Sequence, residues 1–286
     1  MSRIDPHLGT RVHIVGTRQA RPNLPPTGCP FCPGGIEAPE PYDVRWFPNR
    51  WPAMPDDRCE VVLYTPRHDA TFSTLGVTGA RKVVDLWAAR TTELGARPDV
   101  DFVLCFENRG AEVGATIAHP HGQIYAYDHI PDRPRRLLDA QWAPDLAPGD
   151  RLVADHDGWI ASVPFASTYP IALSLAPHTK TPDVAALDDE GRDGVAAMLI
   201  DVLGRLDRLF DRPLPYMMWL NQRPTDGNDW RHAWCNIEIV SPWRSAGVPR
   251  FIAAAEVAAG EYFNPVIPET LAEQLRNLGQ GISSSS

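Results

Sequence analysis

The sequence lacks three features that would each assign it to a broad class of proteins. It has no excess of positive charge, because 27 lysine and arginine residues face 36 aspartate and glutamate residues and the net charge is −9. Proteins that bind nucleic-acid polymers present a basic face, so no such partner is expected. No apolar run approaches the roughly 20 residues of a membrane span, and the N-terminus carries no signal-peptide core. We therefore expect a cytoplasmic enzyme with neither nucleic-acid nor membrane partners.

Cysteines are also few, and their odd number, five, argues against a disulfide framework. Three of them suit small buried hydrophobic positions: Cys59, Cys105 and Cys235. Cys29 and Cys32 instead have the Cys-x-x-Cys spacing with which two thiolates bind one tetrahedral metal ion. A redox dithiol is the alternative, but it normally stands where a helix begins. Pro33-Gly34-Gly35 follows at once and disfavours a helix, so we favour the metal site.

Proline, by contrast, is abundant and unevenly placed. The chain has 29 prolines, and those between residues 22 and 55 are dense enough to prevent a regular helix. We expect that region to be an ordered but irregular arm. At the other end, Ser283–Ser286 is a low-complexity tail that we expect to be disordered.

The two halves of the chain repeat one order of elements: a strand, a proline-containing turn with a histidine, a long helix, and two further strands. In the first half, apolar patterning predicts a strand at Glu60–Tyr64, a helix over about 78–94 and a strand at Val100–Glu107. In the second half, it predicts a strand at Ile171–Leu175, a helix over about 188–210, and strands at Tyr216–Leu220 and Asn236–Val240. The repetition indicates an internal duplication.

The most informative segment is His119-Pro120-His121-Gly122-Gln123, which Phe106-Glu107-Asn108-Arg109-Gly110 precedes. Two histidines spaced i, i+2 on an extended segment point to the same face. One imidazole can then act as a nucleophile while the other binds a metal ion or a phosphate. Gln123 continues the row of polar groups, so we expect an active-site rim here.

Asn108, Gly114 and the His-Pro-His-Gly-Gln pentapeptide resemble the signature of galactose-1-phosphate uridylyltransferases, in the histidine-triad superfamily. The resemblance implies an α+β fold in which two tandem histidine-triad-like units form one mixed, mostly antiparallel sheet with packed helices. We place the units at residues 1–145 and 146–286. The second has Asn236 and Glu238 where the first has His119 and His121, so we expect it to lack a nucleophile.

The resemblance also implies an activity. UMP would move from UDP-glucose to a hexose 1-phosphate, with galactose 1-phosphate the first choice, by ping-pong chemistry through a uridylyl group on His121. Gln123 favours transfer over hydrolysis, because an amide can hydrogen-bond phosphoryl oxygens but cannot act as a general acid near neutral pH. Two alternatives stay open: an adenylyl-transferring phosphorylase that acts on an ADP-sugar or a dinucleotide, and a zinc-stabilised nucleotide-binding protein without turnover.

Further site residues follow from the same resemblance. His68 and His119 would join Cys29 and Cys32 in a closed structural site for one zinc ion per chain. The substrate contacts would be Arg18, Arg21, Asn108 and Thr116 at phosphates, Asn49 and Trp51 at the base, and Arg250 and Glu256 at the sugar. Positions that hold a second metal in some relatives are Leu137, Asn221, Asn236 and Glu238 here, so we expect one metal only. A homodimer is also implied.

Overall fold

The computed structural model describes residues 2–16, 19 and 28–279. Their strands are β1 (Ser2–Ile4), β2 (Arg11–His13), β3 (Arg45–Pro48), β4 (Cys59–Leu63), β5 (Phe102–Arg109), β6 (His121–Tyr127), β7 (Leu152–His156), β8 (Trp159–Ser162), β9 (Ile171–Pro177), β10 (Tyr216–Asn221), β11 (Asn236–Ser241), β12 (Trp243–Ser245) and β13 (Val248–Pro249). Their α-helices are α1 (Gly76–Gly95), α2 (Asp132–Asp139), α3 (Asp189–Arg208), α4 (Ala254–Ala259) and α5 (Pro268–Gly279).

A nine-stranded sheet organises the molecule, in the order β3-β4-β6-β5-β10-β11-β9-β8-β7. The repeated strands give the same local order in each half, β4-β6-β5 in the first and β9-β11-β10 in the second. The halves join where β5 pairs with β10, with Phe106 opposite Trp219. The ladders of this sheet are antiparallel. The α+β fold and the mostly antiparallel sheet are therefore confirmed.

The main core lies between one face of the sheet and the long helices α1 and α3, which also pack on each other. The apolar stripes that predicted these helices are buried, with Trp87 on α1 and Leu199 on α3 as central members. On β6, alternate residues point to opposite faces: Gly122, Ile124 and Ala126 are buried, whereas the residues between them are half-buried. His121 and Gln123 therefore lie on the sheet face opposite the main core.

The predicted strands and helices of both halves are confirmed, with ends that differ by a few residues. The described part of the proline-rich arm is irregular, as expected, apart from β3 and an isolated bridge between Gly35 and Ala38. Ser283–Ser286 lies outside the described residues. Within the described ranges, none of the helices is both long enough and apolar enough to span a membrane.

Candidate active site and metal centre

His121 is the first residue of β6. The next residue must be a glycine, because Tyr64 and the Phe106 backbone lie too close to leave room for a Cβ. A Cβ on Gly122 would lie 2.1 Å from Tyr64 Oη and 3.0 Å from the Phe106 carbonyl oxygen. Tyr64 is buried in the main core, where its ring packs edge-on against Phe72. The strand that carries His121 therefore lies directly on the aromatic part of the core.

The geometry of His121 identifies its tautomer. Its Nδ1 lies 2.7 Å from the carbonyl oxygen of His119. Because a carbonyl oxygen only accepts hydrogen bonds, Nδ1 carries a proton, and the lone pair of the neutral ring is therefore on Nε2. The backbone acceptor for the Nδ1 proton is the His119 carbonyl oxygen. Such a neutral imidazole can act as a nucleophile through Nε2.

His119 precedes the strand that carries His121. It lies in a bend before β6 and is fully buried, whereas His121 is in the strand and half-buried. The ring of Phe31 lies against both imidazoles. The Nδ1 atom of His119 is directed towards the cysteine pair.

Four side chains converge there: Cys29, Cys32, His68 and His119. Their candidate ligand atoms all lie within 4.8 Å of one another. His119 Nδ1 is 3.8 Å from Cys29 Sγ and 3.7 Å from Cys32 Sγ, and Cys32 Sγ is 3.5 Å from His68 Nδ1. Edges of roughly 3.5 Å are what a tetrahedron with Zn–S of about 2.3 Å and Zn–N of about 2.0 Å requires. The cluster can therefore hold one metal ion.

Hydrogen bonds fix the orientation of His119 towards this cluster. Its Nε2 donates to the Thr65 carbonyl oxygen at 2.7 Å, which leaves the Nδ1 lone pair towards the sulfurs. Tyr42 Oη lies 2.9 Å from the same Nε2 and is within hydrogen-bond distance of the carbonyl oxygens of Phe31, at 2.7 Å, and Thr65, at 3.0 Å. Burial lowers the pKa of His119, so the ring stays neutral, as a metal ligand must.

The surroundings of Cys29 and Cys32, called the metal knuckle below, favour a metal site over a redox dithiol. No helix begins at Cys29, which lies in irregular structure, or at Cys32, which lies in a bend. Burial and the neighbouring Cys29 raise the pKa of Cys32 above its ordinary value. A redox-active thiol needs a lowered pKa, whereas a bound cation would stabilise both thiolates. Cys59, Cys105 and Cys235 are buried in the core, as expected.

Asn49, one of the predicted substrate residues of the first half, is hydrogen-bonded to Gln123. Asn49 Nδ2 donates to Gln123 Oε1 at 3.3 Å, and Asn49 Oδ1 accepts the Trp51 amide at 2.8 Å. Asn108 is half-buried on β5, two residues beyond Phe106, which pairs with Gln123, and alternation puts it on the face of Gln123. Thr116 is half-buried in the segment that leads to the motif.

The other predicted substrate residues are not brought to this cluster by any described contact. Arg18 and Arg21 lie outside the described residues. Arg250 and Glu256 form an ion pair with each other, and Glu256 also accepts the amides of Ala253 and Phe263. Both side chains are buried in this arrangement, which fastens the C-terminal segment before α5.

The corresponding face of the second half carries an ion pair instead of a nucleophile. Arg133 of α2 donates two hydrogen bonds to Glu238, at 2.7 and 2.8 Å. Asn221 donates to both Glu238 and Asn236 at 2.8 Å, and the Arg133 guanidinium lies 5.1 Å from the centre of the Trp219 ring. Arg133 of the same chain thus supplies the positive charge next to Glu238.

Sequence reasoning missed a buried carboxyl on the core side of β5. Glu107 Oε1 accepts the Tyr216 hydroxyl at 2.8 Å. Burial raises the pKa of Glu107 to about 7, although the Tyr216 hydrogen bond and the Arg109 charge oppose the rise. Arg109 is paired with Asp207 at 2.7 Å. The alternation of β5 could have indicated that Glu107 faces inwards.

Two further residues were missed, and both lie in the proline-rich arm. Tyr42 contacts His119, as described above, and the ring of Phe31 packs against both histidines of the motif. The sequence did contain a signal for Phe31, since this residue stands between the two cysteines of the knuckle. It contained no signal for Tyr42, because the partners of Tyr42 are distant in sequence.

Comparison with known proteins gives matches along nearly the whole chain. The family profile described as galactose-1-phosphate uridyl transferase, N-terminal domain, matches residues 50–131, and its C-terminal counterpart matches residues 116–284. A galactose-1-phosphate uridylyltransferase of Streptomyces lividans is 35% identical across 96% of this chain and 86% of that protein. Its counterpart in Thermotoga maritima is 31% identical across 96% and 97%. A solved uridylyltransferase structure superposes with a TM-score of 0.88 at 28% identity, covering 98% of this chain and 99% of that chain.

Proposed function

The chain belongs to the galactose-1-phosphate uridyl transferase family, and we propose that it moves UMP from UDP-glucose to a hexose 1-phosphate, with galactose 1-phosphate as the acceptor. One observation carries the proposal. The His119 carbonyl oxygen holds the Nδ1 proton of His121, so Nε2 carries the lone pair on the first residue of β6. This is the form of imidazole that a nucleotidyl-histidine intermediate requires.

The reaction would proceed in two displacements at phosphorus. In the first, Nε2 of His121 attacks the α-phosphorus of UDP-glucose, a P–N bond forms, and the P–O bond to glucose 1-phosphate breaks. In the second, a phosphate oxygen of the acceptor attacks the uridylyl group and the P–N electron pair returns to Nε2. The covalent intermediate means that the two sugar phosphates need not occupy the site together. Gln123, held by Asn49, would hydrogen-bond phosphoryl oxygens without supplying a proton to a leaving group.

We propose zinc as the metal of the cluster formed by Cys29, Cys32, His68 and His119. Two thiolates and two imidazoles make a closed tetrahedral set that leaves no ligand position for water, which is typical of a structural site. A bound ion would stabilise the fold by joining the proline-rich arm to the turn after β4 and to the bend before β6. No step of the transfer reaction requires it.

We also propose roles for the remaining residues of the substrate site. Asn49 and Trp51 would bind the base, and Arg18, Arg21, Asn108 and Thr116 would bind phosphate oxygens. Arg250 and Glu256 would act at the sugar through the segment that they fasten. Support is strongest for Asn49, because it is hydrogen-bonded to Gln123, two residues after His121.

We propose that residues 1–145 form the catalytic unit and residues 146–286 a degenerate copy. The repeated strand order β4-β6-β5 and β9-β11-β10 supports the division. The pairing of Glu238 with Arg133 supports the loss of a nucleophile from the second unit. A homodimer is proposed as well, since Phe251, Val257 and Phe263 are 81%, 73% and 70% exposed in the segment between β13 and α5.

Isotope exchange tests this function. Protein incubated with UDP-glucose and labelled glucose 1-phosphate, without acceptor, should move label into UDP-glucose, because a ping-pong enzyme reverses its first half-reaction alone. His121→Ala should abolish exchange. His178→Ala, in the second-half turn that repeats the position of His68, should retain it. Exchange with ADP-glucose but not UDP-glucose would replace uridylyl by adenylyl transfer, and nucleotide binding without any exchange would support the non-catalytic alternative.

A further inference from the structure

The ring of Phe31 lies against the imidazole of His121. The ring centroids are 5.0 Å apart and the planes are inclined at 62°, an edge-on arrangement that aromatic pairs favour. The same ring meets His119 at 6.2 Å and 86°. Phe31 is 6% exposed, so this contact is part of a packed surface and not a loose surface encounter.

Several neighbours hold the ring in this place. Phe31 belongs to a second, smaller apolar cluster with Ala38, Val61 and Leu63. On β4, Leu63 pairs with His121 and Val61 pairs with Gln123, so the cluster lies directly beside the catalytic strand. The Phe47 ring is a further neighbour, with its centroid 5.9 Å from that of Phe31.

The backbone of Phe31 is fixed as well. Its carbonyl oxygen accepts the Tyr42 hydroxyl at 2.7 Å. The residue stands between Cys29 and Cys32, so closure of the metal knuckle determines where its Cα lies. The side chain, the carbonyl and the flanking thiols are therefore all constrained.

We propose that Phe31 is a positioning residue for the nucleophile, which holds the His121 imidazole from the β4 side and links the metal knuckle to the reacting nitrogen. The inference rests on the proposed function. The His119 carbonyl oxygen fixes the position of Nδ1 on one edge of the imidazole, and that hydrogen bond does not by itself set the tilt of the ring. The Phe31 ring opposes that tilt and keeps Nε2 aimed along one line. In-line attack at phosphorus depends on such alignment.

Variants at two phenylalanines separate this role from simple packing. Phe31→Leu keeps an apolar side chain but removes the aromatic edge beside His121. Phe47→Leu is the matched control, since Phe47 belongs to the same cluster and packs on Phe31. Zinc content and thermal unfolding establish that each variant retains its metal and fold. Phe31→Ala is a more drastic change, to be used if that variant still binds its metal.

The readout is the single-turnover rate at which UDP-glucose modifies His121, measured by rapid quench and intact-protein mass, together with the affinity for UDP-glucose. Phe31→Leu should lower the rate roughly threefold to tenfold, as expected for the loss of an edge-on aromatic contact. Its affinity and zinc content should match wild type, and Phe47→Leu should stay within about twofold of the wild-type rate.

Three results would count against the inference. A modification rate for Phe31→Leu equal to that of wild-type protein, which itself forms the adduct, would overturn the positioning role alone. Loss of affinity in parallel with rate would also overturn it, because a positioning residue acts after binding. Wild-type protein that forms no adduct would overturn the proposed function and this inference with it.

Discussion

Gly122 should tolerate no side chain, and the reason lies in the core behind it. A Cβ at this position would meet Tyr64 Oη at 2.1 Å, far inside van der Waals contact. The Tyr64 ring cannot move away easily, because Phe72 and Trp87 pack against it. Overpacking of this kind costs typically about 1–3 kcal/mol. Gly122→Ala should therefore lower the free energy of unfolding by about that amount.

A second substitution should relieve the clash. Tyr64 Oη is buried near the Glu107 carboxyl but makes no hydrogen bond of ordinary geometry among the described residues, so Tyr64→Phe alone should cost about 1 kcal/mol or less. In the Gly122→Ala background it removes the 2.1 Å contact and leaves Tyr64 Cζ and the Phe106 oxygen at 3.0 Å. The double variant should therefore recover part of the lost stability, with a coupling of about 1 kcal/mol or more.

Urea unfolding of the four proteins in this cycle measures the coupling. Gly16→Ala is the control, since a Cβ there meets nothing within 4 Å and the backbone is not in the left-handed region. It should change stability by less than about 0.5 kcal/mol. Additive effects of Gly122→Ala and Tyr64→Phe would refute the steric explanation. A Gly122→Ala protein as stable as Gly16→Ala would refute it outright.

Three other predictions concern the metal, a buried carboxyl and a buried ion pair. Cys32→Ser should remove the metal and lower the melting temperature by several degrees, which metal analysis and calorimetry on the same samples will check. The pKa of Glu107 is raised by burial from 4.5 to about 7, so its neutral form is favoured by folding. The native state should lose about 3 kcal/mol as the pH rises from 4.5 through 7, and Glu107→Gln should flatten that part of the stability–pH curve, with an unchanged slope counting against the assignment. Arg90 donates two bonds to the buried Glu60 at 2.7 and 2.9 Å, and Arg90→Met should cost about 3–5 kcal/mol in urea. Arg231→Met, at an exposed ion pair, should cost far less because solvent screens that pair, and equal losses would contradict the distinction.

Much of the sheet and both long helices could be predicted from local patterns. Strands β4 and β9 are apolar apart from Glu60 and Ser174, and helices α1 and α3 carry apolar stripes at helical spacing, so each pattern is complete within its own segment. The edge strand β7 was missed because a register irregularity between Leu152 and Ala154 breaks its alternation. Helix α2 was missed because Pro134 and five charged residues obscure its short pattern.

The site, too, could be predicted only in part from the sequence. The chemistry of the pentapeptide was predictable, because His121 and Gln123 share a strand and alternation fixes their common face. His119 lies in a bend before the strand, and no local spacing could predict its buried hydrogen bond to the Thr65 carbonyl oxygen. The contact between Phe31 and His121 joins residues from separate elements, and no local spacing can encode it. Tertiary packing alone supplies that information.

The covalent intermediate is tested most directly by intact-protein mass spectrometry of metal-replete protein mixed with UDP-glucose and no acceptor. The wild-type protein should gain the mass of one uridylyl group, and galactose 1-phosphate should discharge it. His121→Ala should gain nothing, whereas His178→Ala should behave as wild type. An unmodified wild-type protein, or an adduct that persists in His121→Ala, would contradict nucleophilic catalysis by His121.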